Sequence, residues 1–208
     1  MSQSPVPRQV RQEAYGRQGG SVVDRFGVWL SRRAIERALA GRTGLDVLDL
    51  GCGYHATLLR ALGDRTRSGV GIDLQISPEA KAEPRLTFVE STIESALPEL
   101  ADARFDLVMM TSVLEHLWEP QAALRHCRRL LRPGGVLLVN VPTWRGKFFL
   151  EFSAFRLGTS PASEMDDHKM YYDKRDLWPL LVAAGFLPSR LSLSYHKFGL
   201  NLFAIARV

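Results

Sequence analysis

The stretch "VLDLGCGYHATLLRAL", Val47 to Leu62, decides the fold. Its first residues read as a short apolar strand. Gly51 and Gly53 then make a tight turn, and a helix is expected over roughly 56–63. A strand that passes through glycines into a helix opens a parallel α/β unit. Gly51 and Gly53 let the backbone bend sharply and approach a ligand closely. Asp49, at the end of the strand, can accept hydrogen bonds from the turn's amides or from a ligand amine. Ala56 takes the place of a third glycine. His55 beside it reads as a solvated helix-start residue, a local backbone partner or a substrate-facing group.

Outward from this turn, strands and helices alternate. "GVGIDL" is a second strand and "LTFVE" a third, preceded by a short, proline-interrupted helix. "FDLVMMTS" is a fourth. "EPQAALRHCRRLLRPGG" is a helix with Pro120 in its first turn and a glycine stop. "GVLLVNVP" is a fifth strand. "DKRDLWPLLVAAGF" is another helix, whose start Pro179 is expected to shift or bend. "FLPSRLSLSYH" and "GLNLFAIARV" close the chain as a hairpin. The fold class that follows is α/β: a doubly wound, mostly parallel seven-stranded Rossmann-like sheet with a terminal antiparallel hairpin. Residues 1–44 form a polar arm and a helix, "SVVDRFGVWLSRRAIERALAG", expected to cap the site. Residues 45–208 form the main domain. The long irregular segment after the fifth strand, 143–172, is a candidate substrate lid.

The 208 residues suit one domain, and the 46% apolar content can supply its core. Net charge is +5 and the isoelectric point near 9.5, but no run of five like charges appears. A nucleic-acid partner is therefore not expected. The two cysteines, Cys52 and Cys127, show no metal-ligand spacing, so neither zinc nor a disulfide framework is expected. No secretory signal or membrane-spanning stretch is recognisable, which points to the cytoplasm.

The end of the second strand sharpens the site. Asp73 follows the glycine turn by about 20 residues, where a carboxylate can grip both hydroxyls of a ribose. A ribose with a glycine turn implies a nucleoside cofactor. A dinucleotide would bring a pyrophosphate, and Asp49 directly before the turn would add negative charge near it. A cofactor with a cationic, hydrogen-bond-donating end fits better.

With these residues in hand, the chain resembles the class I S-adenosylmethionine-dependent methyltransferases, in particular the broad type that acts on small molecules. "VLDLGCG" and "VGIDL" resemble that family's first two motifs. "FDLVMMTSVLEHLWEP" and "LLRPGGVLLVNVP" resemble the segments beside the reacting centre, and the four motifs run in the family's order. The resemblance implies S-adenosylmethionine as cofactor. It places Gly51, Cys52 and Gly53 under the methionine end, with Asp49 close to its amino group. Asp73 holds the ribose, and Leu74 touches the adenine. Thr92 stands where the family often has an acid on the adenine amine, with Ile93 packing on the ring. Thr111 and Leu114 line the floor beneath the sulfonium.

Methyl transfer is an in-line displacement, and a base is needed only when the acceptor must lose a proton. His116, just beyond the fourth strand, is the first candidate base, and His168 in "EMDDHKMYY" the second. The bland reading of each is a structural or solvated histidine. Tyr171 and Tyr172 are candidate substrate contacts, one of them expected in the core. Asp166 and Asp167 beside His168 do not make a metal site, and none is expected. His126 and His196 read as structural or surface residues. "RGKFFLEFSAFRLG" carries Phe148, Phe152 and Phe155 at helical spacing, flanked by Arg145, Lys147 and Arg156. It suits a lid, a weak membrane-surface contact or ordinary packing.

The expected function is methyl transfer to a small-molecule acceptor, with oxygen on a sugar, glycolipid or specialised metabolite ahead of nitrogen or carbon. The alternatives are a nicotinamide-dependent oxidoreductase and a non-catalytic, cofactor-binding partner protein.

Overall fold

A computed structural model describes Ala14, Gly16, residues 22–152 and residues 168–208. Most of the arm, and Phe155, Arg156, Asp166 and Asp167, lie outside the described residues. A seven-stranded sheet runs β3-β2-β1-β4-β5-β7-β6. Its strands are β1 (Leu45–Leu50), β2 (Thr66–Asp73), β3 (Leu86–Glu90), β4 (Phe105–Thr111), β5 (Leu131–Pro142), β6 (Leu191–His196) and β7 (Asn201–Arg207). The first five pair in parallel, while β7 is antiparallel to both β5 and β6. Strand order reverses between β1 and β4, so their carboxyl ends open a crevice where α/β sheets bind ligands.

The helices are α1 (Val22–Leu39), α2 (Thr57–Ala61), α3 (Pro78–Lys81), α4 (Ile93–Ala96), α5 (Pro120–Leu130), α6 (Trp144–Phe152) and α7 (Lys174–Ala183). They cover both faces because the central strands are apolar on both. Val47, Leu107, Met109, Val136 and Leu138 form one core with Ile35 and Leu39 of α1, Leu59 of α2 and Ala80 of α3. Leu48, Leu50, Val108, Met110, Leu137 and Val139 form the other with Ala96 of α4, Leu124 and Cys127 of α5, and Leu177 and Leu181 of α7. The odd–even split along each strand is the period-two alternation of an extended chain.

Three details depart from the sequence reading. β5 begins at Leu131 rather than Gly135, because Leu131 already pairs with Phe105 across the sheet. Arg132, inside this stretch, bonds to Asp106 at 2.9 Å and to Asp46 at 2.8 Å. Pro179 sits inside α7 without displacing its start; the helix opens at a capping box of Asp173 and Asp176. The segment after β5 is not irregular from the outset, since α6 occupies Trp144–Phe152. Phe148 on α6 is 69% exposed. None of the described helices is long and apolar enough to cross a membrane.

Leu107 lies at the centre of β4 with no exposed surface. Leu107→Ala is expected to cost about 2–5 kcal/mol, whereas Phe198→Ser, at a side chain 83% exposed, should change stability little. Urea unfolding of the two variants checks the assignment of the core.

Candidate functional site

The turn after β1 is held from β2. The amides of Gly51 and Cys52 donate to the carbonyl of Ile72 at 2.8 and 3.2 Å. The Gly53 amide donates to Asp73 Oδ2 at 2.7 Å, and the Leu74 amide to Asp73 Oδ1 at 2.8 Å. Gly51 and Gly53 have φ of +69° and +75°. A Cβ at Gly51 would stand 2.3 Å from Val113 Cγ2, so a larger residue is excluded by both backbone and space. Ala56, in the third glycine's place, also takes the left-handed conformation (φ +46°) and is fully buried. His55 is exposed, its ring edge-on to Tyr54 at 4.9 Å. Of the readings open to it, the solvated one matches its position.

Asp49 does not accept from the turn, contrary to one of its two expected uses. Asp73 takes that part, and Asp49 Oδ2 is buried without a hydrogen-bond partner among the described residues. Burial, and then the nearby Asp73 charge, push the Asp49 carboxyl up to about 8. An acid so placed is suited to a ligand cation.

The other expected cofactor residues fall around the same edge with unequal freedom. The Cys52 thiol packs into the core and donates to the Gly53 carbonyl at 3.7 Å. Burial raises its pKa far above the ordinary thiol range, so only its backbone can serve a ligand. Leu74 is half-buried. Thr92 caps α4: its hydroxyl accepts from the Ser95 amide at 3.3 Å and donates to Ser95 Oγ at 2.9 Å. Ile93 packs partly against the core. Thr111 is half-buried at the end of β4. Leu114 is fully enclosed in the core and offers no open floor.

The expected acceptor side gains a partner and loses one. His116 ends a short 3-10 turn, Leu114–His116, just beyond β4. His168 is brought to it by the backbone: the amides of Lys169 and Met170 donate to the Glu115 carbonyl at 2.7 and 3.3 Å. The two imidazole centroids lie 4.8 Å apart. Ligating atoms of Glu115, His116 and His168 all fall within 4.8 Å of one another. Glu115 is buried, and no sequence signal marked it beyond its place before His116. His168 Nδ1 is 3.0 Å from the hydroxyl of Tyr171, whose ring also stands 5.6 Å from that of Trp144. Tyr172 is corrected: it is 1% exposed and part of the core. Its hydroxyl donates to the Leu114 carbonyl at 3.4 Å and its amide to the Pro142 carbonyl at 3.0 Å, so it braces the site from below.

A family model described as a methyltransferase domain matches residues 24–188. A probable S-adenosylmethionine-dependent methyltransferase of Mycolicibacterium smegmatis is 33% identical over 180 residues, covering 83% of this chain and 64% of that protein. A ubiquinone biosynthesis O-methyltransferase of Pseudomonas paraeruginosa is 34% identical over 130 residues, covering 59% of this chain and 52% of that one. The chain thus spans between half and two thirds of the length of these relatives. In fold it is similar to the Burkholderia thailandensis 1,6-didemethyltoxoflavin-N1-methyltransferase, solved with 1,6-didemethyltoxoflavin and S-adenosylhomocysteine. The TM-score is 0.63 at 22% identity, over 90% of this chain and 80% of that one.

Two predictions follow from the two acids. Asp73→Ala should weaken S-adenosylmethionine binding by about 10- to 100-fold, the loss of a charged hydrogen-bond partner; calorimetry on the folded variant measures it. Asp49 holds in the folded state a proton that the unfolded chain has released above about pH 4. Its raised pKa should therefore make the ligand-free protein less stable as pH rises toward 8. Thermal melts at pH 5 and pH 8 should show that part of the slope disappear in Asp49→Asn.

Proposed function

The chain belongs to the S-adenosylmethionine-dependent methyltransferase family, and on that premise we propose that it moves a methyl group to a hydroxyl oxygen of a small molecule. His116 takes the proton that the oxygen gives up. The observation that carries this reading is the approach of His116 and His168, ring centroids 4.8 Å apart, just beyond β4, the strand that pairs with the one carrying the buried, unpartnered Asp49 carboxyl.

The residues present fit the cofactor. The unpaired Asp49 carboxyl suits an ammonium. Gly51 and Gly53, at φ of +69° and +75°, make the tight turn against which an amino-acid end would lie. Asp73 accepts the Gly53 and Leu74 amides and stays half-exposed at the end of β2. Asp49, Gly51, Cys52 by its backbone, and Gly53 would hold the methionine end, and Asp73 the ribose. Leu74, Thr92 and Ile93 would flank the adenine, with Thr111 under the reacting end. S-adenosylmethionine supplies a methyl already activated on a sulfonium.

What remains for the protein is to align the acceptor, exclude water and remove a proton. His116 is half-buried beside His168, and Tyr171 fixes the His168 ring through Nδ1. The Lys169 and Met170 amides tie the end of segment 143–172 to the turn that carries His116, which supports reading that segment as a substrate lid. The O-methyltransferase name of the P. paraeruginosa relative favours oxygen as the acceptor atom. A sugar, a glycolipid or a specialised metabolite would meet the requirement. A second reading is favoured by the spacing of Glu115, His116 and His168: these three side chains hold a divalent cation that binds the acceptor oxygen.

His116→Ala should lower the single-turnover rate by about 10²- to 10⁴-fold, the usual range for loss of a general base. Cofactor affinity and melting temperature should stay close to those of the parent. A near-normal rate in the folded variant removes His116 as the base. Under the second reading, EDTA abolishes turnover and manganese restores it; under the first, EDTA has no effect.

A further inference from the structure

We propose that the sheet face beneath α1 binds the methyl acceptor through Asn140, with Ser31 and His196 beside it. The acceptor would present two neighbouring oxygens, at least one a hydroxyl. The inference rests on the methyl-transfer reading and names the chemistry of its acceptor.

Asn140 lies near the end of β5 and is 1% exposed. Neither its amide nitrogen nor its oxygen has a hydrogen-bond partner among the described residues. The same holds for Ser31 Oγ and for the Nε2 of the half-buried His196, as well as for Asp49 Oδ2 and, at the far edge of the sheet, Thr66 Oγ1. Buried polar groups are almost always paired, and each exception asks for an explanation. The first three, on one face, ask for a common one.

The topology puts them together. Asn140 pairs with Thr111 on one side and with Phe203 on the other. Phe203 in turn pairs with Ser194, two residues before His196, and the rings of His196 and Phe203 are 5.8 Å apart. By strand alternation Asn140 falls on the face of Val136 and Leu138, whose core also holds Phe203, Ile35 and Leu39. Ser31 precedes Ile35 by one helical turn on the stripe of α1 that meets this face. One turn further back, a Cβ at Gly27 would be 3.6 Å from Lys197 Nζ, so this end of α1 lies over the β6–β7 turn. Ser31, Asn140 and His196 therefore share a face and an edge. Asp49 lies on the same face, by alternation with Val47, and Thr111 begins the turn that leads to His116. At the His196 end of this row, an open cavity of about 340 Å³ lies between α1 and the hairpin, lined by Ala34, Arg37, Ser194, His196, Phe203 and Arg207 among others; Ser31 and Asn140 lie behind it.

The chemistry of the row selects the ligand. A carboxamide offers one acceptor and a two-hydrogen donor side by side. It is matched by a hydroxyl next to a second oxygen, as in an aromatic diol or the vicinal diol of a sugar. Burial, and then the Lys197 and Arg37 charges, lower the pKa of His196, and Arg37 and Arg207 line the cavity beside it. The amide of Asn140 therefore selects for paired oxygens, not for the charge of the acceptor.

The chain has two asparagines, Asn140 and Asn201. Asparagine labelled with ¹⁵N thus yields two side-chain amide signals, which Asn140→Leu and, independently, Asn201→Asp assign. The full chain, with S-adenosylhomocysteine present, is titrated with catechol, with methyl glucoside, and with phenol as a single-oxygen control. A diol should move the Asn140 signal and leave that of Asn201; phenol should move neither. Which diol acts tells the aromatic source from the sugar. Asn140→Leu should bind S-adenosylhomocysteine as the parent does and melt no lower, since an unpaired buried amide gives way to an apolar group. Its affinity for the diol should fall about tenfold or more. An Asn140 signal that neither diol moves, while S-adenosylhomocysteine still binds, overturns the proposal and leaves the amide to a buried water. A marked loss of stability in Asn140→Leu overturns it too, by showing a structural partner. A parent protein that does not bind S-adenosylhomocysteine instead overturns the methyl-transfer reading.

Discussion

The hydrogen bond from the Gly53 amide to Asp73 at 2.7 Å ties the turn after β1 to the end of β2. Much of the site depends on it. It closes the glycine turn without using Asp49, and so leaves the Asp49 carboxyl buried and unpaired. It also holds the Asp73 charge close enough to add to the effect of burial on Asp49. Two carboxylates at one turn thus divide the work: one builds the turn, and the other waits for a positive group. The tight contact between Gly51 and Val113 extends the constraint to the loop beyond β4. That loop carries His116, so the glycine turn and the histidine turn are set by one piece of packing.

The two edges of the sheet make opposite use of buried acids. At the amino edge of β1, Asp46 accepts from Arg67, Ser68 and Arg132, and the Asp46 amide donates to Asp106 at 2.9 Å. The Arg67 guanidinium above all holds the Asp46 carboxyl well below the usual range. Stability from that group is complete above the ordinary carboxylate pKa and is lost as pH falls through the lowered one. At the carboxyl edge, Asp49 Oδ2 and both side-chain polar atoms of Asn140 are buried without hydrogen-bond partners among the described residues. The amino edge joins its acids to arginines, and only Thr66 Oγ1 is left over there. The carboxyl edge leaves an acid and an amide without such partners.

How much of this was legible in the sequence follows from the range of each interaction. The strand, turn and helix from Val47 to Leu62 were legible because apolar alternation and glycine are local signals. Asp73 was legible because its distance from the turn is set by a single α/β unit. His168 could be suspected but not placed. Its approach to His116 depends on Lys169 and Met170 amides reaching the Glu115 carbonyl, and backbone bonds of that kind leave no side-chain pattern. Tyr171 and Tyr172 are adjacent, and only the packing decides that the second enters the core while the first meets His168. β5 starts at Leu131 because Leu131 pairs with Phe105 of β4, and Arg132 beside it reaches acids on β1 and β4, contacts across three strands.

Asn140 shows the same limit from the other side. Within "GVLLVNVP" it looks like one polar residue tolerated in a buried strand, and nothing local separates it from a residue that bonds a neighbouring loop. Its meaning comes from three elements far apart in the chain: α1 brings Ser31, β5 brings Asn140 and the hairpin brings His196. A lone buried amide would be relieved by one water. A hydroxyl, an amide and an imidazole left unpaired on one face are harder to assign to chance hydration. Asn140 pairs directly with Thr111 at the end of β4. The helix that covers this face thus does more than shield the core: its first half closes a polar row whose hydrogen bonds an acceptor can complete.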